Sequence, residues 1–155
     1  MRKRTASTAN RVAYYTRIVQ KTILELQHPV TGLIADSVTK PDAWIRDNVY
    51  AILAVWSLSL AYRKSSDSDT DRAKAYEFEQ CVVRLMRGLL RCFMLQKDKL
   101  ERFKENQNPL DALHAKYDSR NCGPIVADDK WGHLQMDAIS LYLLILAETT
   151  TSGMN

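Results

Sequence analysis

Apolar side chains recur along this chain at the 3.6-residue period of an α-helix in four stretches, separated by polar or Pro- and Gly-bearing connections. In the first, Val12, Tyr15, Val19, Ile23 and Leu26 share one face while Arg17, Lys21 and Glu25 point elsewhere, which predicts an amphipathic helix. The HPVTG run, His28 to Gly32, supplies its stop. The second stretch runs from about Arg46 to Arg63 and is apolar nearly all round; its Arg63-Lys64 end suits the negative end of the helix dipole. The third spans about Thr70 to Phe103, with room for a break. Tyr76, Val82, Val83, Leu85, Met86, Leu89, Leu90 and Phe93 are its expected apolar face, and Arg84, Arg87 and Arg91 its wet one. The fourth, about Gln135 to Thr149, contains AISLYLLILA and is again apolar all round. Between the third and fourth, Lys104 to Lys130 reads as an irregular connection holding Pro109, Gly123 and Pro124. It is long for a compact domain and is therefore expected to be functional or packed over something.

The order is amphipathic, all-apolar, amphipathic, all-apolar. An all-apolar helix in a water-soluble protein has to be enclosed by other helices. The alternation therefore predicts an all-α fold in concentric layers, with outer amphipathic helices shielding inner apolar ones. Four helices do not close such a ring. The expected organisation is a basic tail at 1–10 followed by an incomplete helical domain at 11–155, with apolar surface left bare on the second and fourth helices.

Composition narrows the picture. A chain of 155 residues suits one domain, and 46% hydrophobic with 26% charged residues fits a soluble globular protein. With only 5 Gly and 4 Pro, helices are favoured over a turn-rich β fold. The net charge of +4 comes partly from MRKR and from arginines at helical spacing, which reads as a solvated face rather than a nucleic-acid groove. Three cysteines without CxxC spacing point to reduced thiols and a cytoplasmic setting, and Cys81 and Cys92, eleven residues apart, should both face the core. MRKRTASTANR lacks the apolar run of a secretory signal, and Val49 to Tyr62 is shorter than the ~20 residues of a membrane span. TTTSGMN carries no prenylation box.

Several chemistries are excluded by spacing. SSDSDTD at 65–71 resembles a calcium loop, but Arg72 stands where the glycine belongs and Phe78 where the bidentate glutamate belongs. His28 and His114 lie near turns without companions at metal spacing, so neither a metal nor a cofactor is expected. A glycine-rich nucleotide loop, HRD and DFG are missing from this sequence, which excludes phosphoryl transfer by these residues.

The entrances to the two apolar helices carry similar chemistry. Trp44-Ile45-Arg46-Asp47 precedes the second, and Asp128 to Asp137, DDKWGHLQMD, precedes the fourth. Each combines a tryptophan with an aspartate at a helix N-terminus, where an acid is electrostatically favoured. Two readings fit. Asp47 and Asp137 cap helices and the tryptophans pack; or Trp44, Arg46, Asp47, Trp131, Gln135 and Asp137 line a carbohydrate site, with indole faces against C–H surface and polar groups on hydroxyls. If the inner helices run parallel, both entrances open on one rim.

Trp-x-Arg-Asp at 44–47 resembles the sugar-binding motif of glucoamylase-type glycoside hydrolases, and Trp-Gly-x-x-Gln-x-Asp at 131–137 resembles a second motif lining their glucose pocket. That resemblance implies part of a double-layered (α/α)6 toroid. A longer match runs through AYYTRIVQKTILELQHPVTGL, DAWIRDNVYAILAVWSLSLAYRK, LMRGLLRCFMLQKDKLERFK, LHAKY and DDKWGHLQMDAISLYLLILAE, which are similar to the N-terminal region of the phosphorylase kinase regulatory subunits, the α type ahead of the β type. This resemblance implies a glucoamylase-like domain in a regulatory subunit. Its partners would be a kinase catalytic subunit, a β regulatory subunit and calmodulin, in a complex restraining phosphorylation of glycogen phosphorylase until calcium or phosphorylation relieves it. It also implies, for full-length members, a lipid anchor to the cytoplasmic face of the plasma membrane, which has no counterpart in this sequence. Glycoside hydrolysis needs two carboxyl groups across the scissile bond. In the glucoamylase pattern both catalytic glutamates lie beyond Asn155, while Asp47 and Asp137 match substrate-binding positions, so no catalytic residue is expected here. The alternative is a glucan hydrolase completed by those later glutamates.

Overall fold

The computed structural model describes residues 6–64 and 68–153. It is all-α apart from one small ribbon. The helices are α1 (Ala6–Thr22), α2 (Ile45–Lys64), α3 (Asp69–Met94), α4 (Lys97–Asn106) and α5 (Ala138–Thr151). Strands β1 (Asp42–Trp44) and β2 (Lys116–Asp118) pair antiparallel, and 3-10 turns occur at Leu24–Leu26 and Pro109–Asp111.

Helix α2 is the centre of the core. It packs against α1, α3 and α5, and Ile45, Val49 and Ile52 are fully buried. Its apolar circumference is covered on most sides, as the layered pattern requires. The bare surface expected on the second and fourth helices is present: Tyr50 and Leu60 on α2, and Leu143 and Leu144 on α5, are exposed. The buried side of α5 places Tyr142 on α3, its hydroxyl donating to the Met86 carbonyl at 3.2 Å. This is the inner-and-outer helical arrangement that the alternation of amphipathic and apolar stretches predicts.

Three residues assigned to apolar faces point to solvent instead. Tyr15, Tyr76 and Leu90 are 49%, 64% and 46% exposed. In α1 the stripe facing α2 passes through Val12, Thr16 and Val19, and the Thr16 hydroxyl lies 3.0 Å from that of Tyr62. Tyr15 falls one position off it. In α3 the buried stripe is Ala75, Phe78, Glu79, Val82, Leu85, Met86 and Leu89, with Tyr76 and Leu90 one position off. The polar members explain the misreading. Thr16 is satisfied by Tyr62 and Glu79 by an ion pair with Arg63, so both sit where an apolar residue was expected. Cys81 and Cys92 do face the core, and all three cysteines are free and buried.

The break in the third stretch falls at Leu95-Gln96, between α3 and α4. Gln96 turns inward there. Its amide donates to the Cys92 carbonyl at 3.1 Å and to the Tyr117 hydroxyl at 2.5 Å, and accepts from His114 N–H at 3.1 Å. The polar loop before α3 is described only from Ser68, whose hydroxyl caps the helix by accepting from Asp71 N–H at 3.1 Å; the rest of the rejected calcium loop, residues 65–67, lies outside the described residues. So do residues 1–5 of the basic tail.

The connection after α4 is packed, not irregular throughout. His114, Ala115, Tyr117, Ser119 and Cys122 are buried, and Tyr117 meets Phe93 edge-on at 6.5 Å. It also contains β2, which the hydrophobic pattern missed because three residues are too few to show alternation. The HPVTG turn docks on α3 through Gly32. Its φ of +78° is left-handed, and a Cβ there would lie 2.4 Å from the Arg84 carbonyl oxygen.

Candidate carbohydrate site

Two segments far apart in the chain meet at the entrances of α2 and α5, joined by one residue of the connection. Ala115, just before β2, accepts from Ile45 N–H at 3.0 Å and donates to the His133 carbonyl at 2.7 Å. Its main chain therefore lies between the two tryptophan motifs and holds both on one rim. The β1–β2 register sets Trp44 opposite Lys116. The Lys116 ammonium lies 5.1 Å from the Trp44 ring centre and 2.5 Å from the Asp42 carboxylate, so a cation–π contact and an ion pair fix the indole together.

Beneath Trp44, the buried Asn48 is the stitch. Its amide donates to the Trp44 carbonyl at 2.8 Å and the Ile34 carbonyl at 3.0 Å, and accepts from Ile34 N–H at 2.8 Å. Trp131 meets Trp44 edge-on, ring centres 5.6 Å apart at 71°. Gly132 permits this approach. Its φ is +91°, and a Cβ there would stand 3.0 Å from the Trp44 ring.

Across the cleft, Arg46 grips Asp137 with two bonds, Nε to Oδ2 at 3.1 Å and Nη2 to Oδ1 at 2.5 Å. The capping reading of Asp137 is corrected by this contact. Helix α5 begins at Ala138, later than the expected Gln135; Asp137 holds the N-cap position but makes no side-chain cap bond, because its carboxylate is on Arg46. Asp47 lies in the first turn of α2 and, among the described residues, makes no ion pair or side-chain hydrogen bond.

The resulting cleft encloses about 400 Å³ and is lined by Trp44, Arg46, Asp47, Trp131, Gly132, Leu134 and Gln135. Five of the six residues expected from the sequence thus line one space. The sixth, Asp137, holds Arg46. The Gln135 Oε1 is buried with no partner among the described residues, an acceptor that a ligand hydroxyl would satisfy. Hydrogen bonding to Arg46 holds the Asp137 carboxyl below the usual carboxylate range and raises Arg46. Asp137 is therefore an ionised acceptor near neutral pH. It suits hydroxyl binding and not the general-acid half of glycoside hydrolysis.

Sequence spacing missed one cluster behind this wall. His114 was expected to have no metal-type companions; in the fold, ligand atoms of His114, Asp128 and His133 all lie within 4.8 Å of one another. The space among them is taken by the Lys99 ammonium, ion-paired to Asp128 and 3.2 and 3.4 Å from the Nε2 atoms of His114 and His133. The cation of this trio is the protein's own. Burial holds His114 below its ordinary value. No periodic signal links positions 99, 114, 128 and 133, which come from α4, the connection and the loop before α5.

The sequence profile of glycosyl hydrolases family 15 matches residues 9–155. Among curated proteins, the chain is 58% identical over 154 residues to the phosphorylase b kinase regulatory subunit alpha, liver isoform, of Takifugu rubripes, covering 99% of this chain and 12% of that one. It is 58% identical over 155 residues to the skeletal muscle isoform of Oryctolagus cuniculus, covering 100% of this chain and 12% of the relative. It is 60% identical over 154 residues to the probable phosphorylase b kinase regulatory subunit alpha of Drosophila melanogaster, again 99% of this chain and 12% of the relative. The chain thus spans about an eighth of the length of these relatives. Among the described residues, no helix is long and apolar enough to cross a membrane.

Proposed function

The chain belongs to glycosyl hydrolases family 15, and from that premise we propose that it serves as the glucoamylase-like region of a phosphorylase kinase regulatory α subunit, binding glucan without cleaving it. In this reading it works in the cytoplasm with a kinase catalytic subunit, a β regulatory subunit and calmodulin, in the calcium-dependent control of glycogen phosphorylase phosphorylation. The observation that carries the proposal is the convergence of both tryptophan motifs on one cleft, in a chain whose whole length matches such subunits. Two indoles, a bidentately held arginine, an open carboxylate at Asp47 and the Gln135 acceptor, unpartnered among the described residues, form a surface for C–H faces and hydroxyls together.

The test is a titration of the full-length protein with maltotriose, followed by tryptophan fluorescence. Saturable quenching is expected, with Asp47→Ala abolishing it while the fold is retained. A flat titration, or one indifferent to Asp47→Ala, overturns the glucan reading. Family membership favours a second reading, hydrolysis. It predicts glucose release from maltose by the full-length protein, and the ionised Asp137 argues that any such activity draws its acid from another residue.

A further inference from the structure

Trp131 forms the outer wall of the cleft yet is 85% exposed, so its own burial does not fix its position. It is held from behind. Two residues on, His133 is buried; its Nε2 donates to the Ala112 carbonyl at 2.8 Å, and its carbonyl accepts from Ala115. Three residues before Trp131, the Asp128 carboxylate accepts from His114 Nε2 at 2.8 Å and from Lys99. Trp131 thus stands at the tip of a short loop whose one end, Asp128, is bonded to a buried ammonium, while the other, His133, lies beside that ammonium and is anchored on Ala112. That ammonium comes from α4, and its side chain is only 10% exposed.

The proton positions single out one charged acceptor. Ala112 O and the Asp128 carboxylate take the Nε2 protons of the two imidazoles, so Lys99 has Asp128 as its counter-charge, and the rings flank it. A charge this buried is strongly disfavoured without its partner. Lys99 and Asp128 therefore hold each other. Because Asp128 belongs to the loop and Lys99 to a helix, the pair transmits the position of α4 to the loop.

We propose that Lys99 is a positioning residue of the cleft: its ammonium, locked on Asp128 between His114 and His133, sets where Trp131 stands against Trp44. Lys99 does not line the cleft and acts only through the 128–133 loop. The consequence for ligand binding rests on the glucan reading above; the consequence for the tryptophan pair does not.

Two indoles edge-on at 5.6 Å couple their electronic transitions, which gives a circular-dichroism couplet obtained as the difference between the full-length protein and its Trp131→Phe variant. Lys99→Met keeps the apolar stem and removes the charge. It should abolish the couplet and weaken maltotriose binding by about ten- to a hundredfold, the range for outer groups that orient a site. Lys99→Arg should retain both. An intact couplet in Lys99→Met, even with a lowered melting temperature, means Lys99 is merely structural and overturns the proposal. Should Lys99→Met fail to fold, Asp128→Asn, altered at a half-exposed carboxylate, is read the same way. A wild-type protein that binds no maltotriose sinks the glucan reading, and the couplet still decides the role of Lys99.

Discussion

Asn48→Ala tests the foundation of the cleft. Asn48 is 1% exposed, and its amide serves both main-chain groups of Ile34 as a neighbouring strand would. The bridge between Gln27 and Ile34 uses the flanking groups, His28 N–H to Leu33 O and Ala35 N–H to Leu26 O, and leaves those of Ile34 to Asn48. Truncation strands one buried donor and one buried acceptor, each costing about 1–3 kcal/mol, and releases the Trp44 carbonyl as well. The local loss is roughly 2–6 kcal/mol, a large share of a typical domain stability of about 5–15 kcal/mol. Hydrogen exchange of the full-length protein reads this locally. At about 1.4 kcal/mol per decade, the Ile34 amide should exchange roughly thirtyfold to twenty-thousandfold faster. Asn48→Asp should do no better, since a carboxylate accepts from Ile34 N–H but repels two carbonyls. An Ile34 amide still protected to within about threefold in Asn48→Ala would refute this account of how Trp44 is held.

Two further outcomes follow from the rim itself. Gly132→Ala places a side chain at a left-handed φ and within 3.0 Å of the Trp44 ring, so it should cost about 1–2 kcal/mol locally and weaken maltotriose binding, with exchange protection in α2 and α3 unchanged. The Arg46–Asp137 clasp should resist acid. Asp137 has a folded-state carboxyl below its ordinary 3.8, so its contribution is fully present above pH 3.8 and is lost only as pH falls through the lower folded value. Cleft fluorescence should therefore persist to a lower pH in the wild type than in Arg46→Gln; coincident acid transitions contradict the clasp.

Much of the cleft was legible before any coordinates, because its parts are local. Trp44, Arg46 and Asp47 stand together at one helix entrance, and Trp131, Gln135 and Asp137 just before another. Local spacing could not distinguish a cap from a ligand wall. The Arg46–Asp137 pairing, made between residues 91 positions apart, is what takes the Asp137 carboxylate away from a capping role. Tyr15, Tyr76 and Leu90 were misplaced for a related reason. A polar residue satisfied by a distant partner, such as Thr16 by Tyr62, joins a buried stripe that hydrophobicity alone draws one residue aside.

The helices and their layering are written in the local apolar pattern. A 3.6-residue apolar repeat is a property of neighbouring residues, and burial of that repeat supplies most of a helix's stability. The remainder depends on contacts between distant segments: the β1–β2 ribbon, the Ala115 bridge between the motifs, and the convergence of Lys99, His114, Asp128 and His133. Three-residue strands have too little periodicity to be seen and form because a partner strand satisfies them. A buried ammonium exists only where the fold brings it a counter-charge, and in this chain that carboxylate lies 29 positions away.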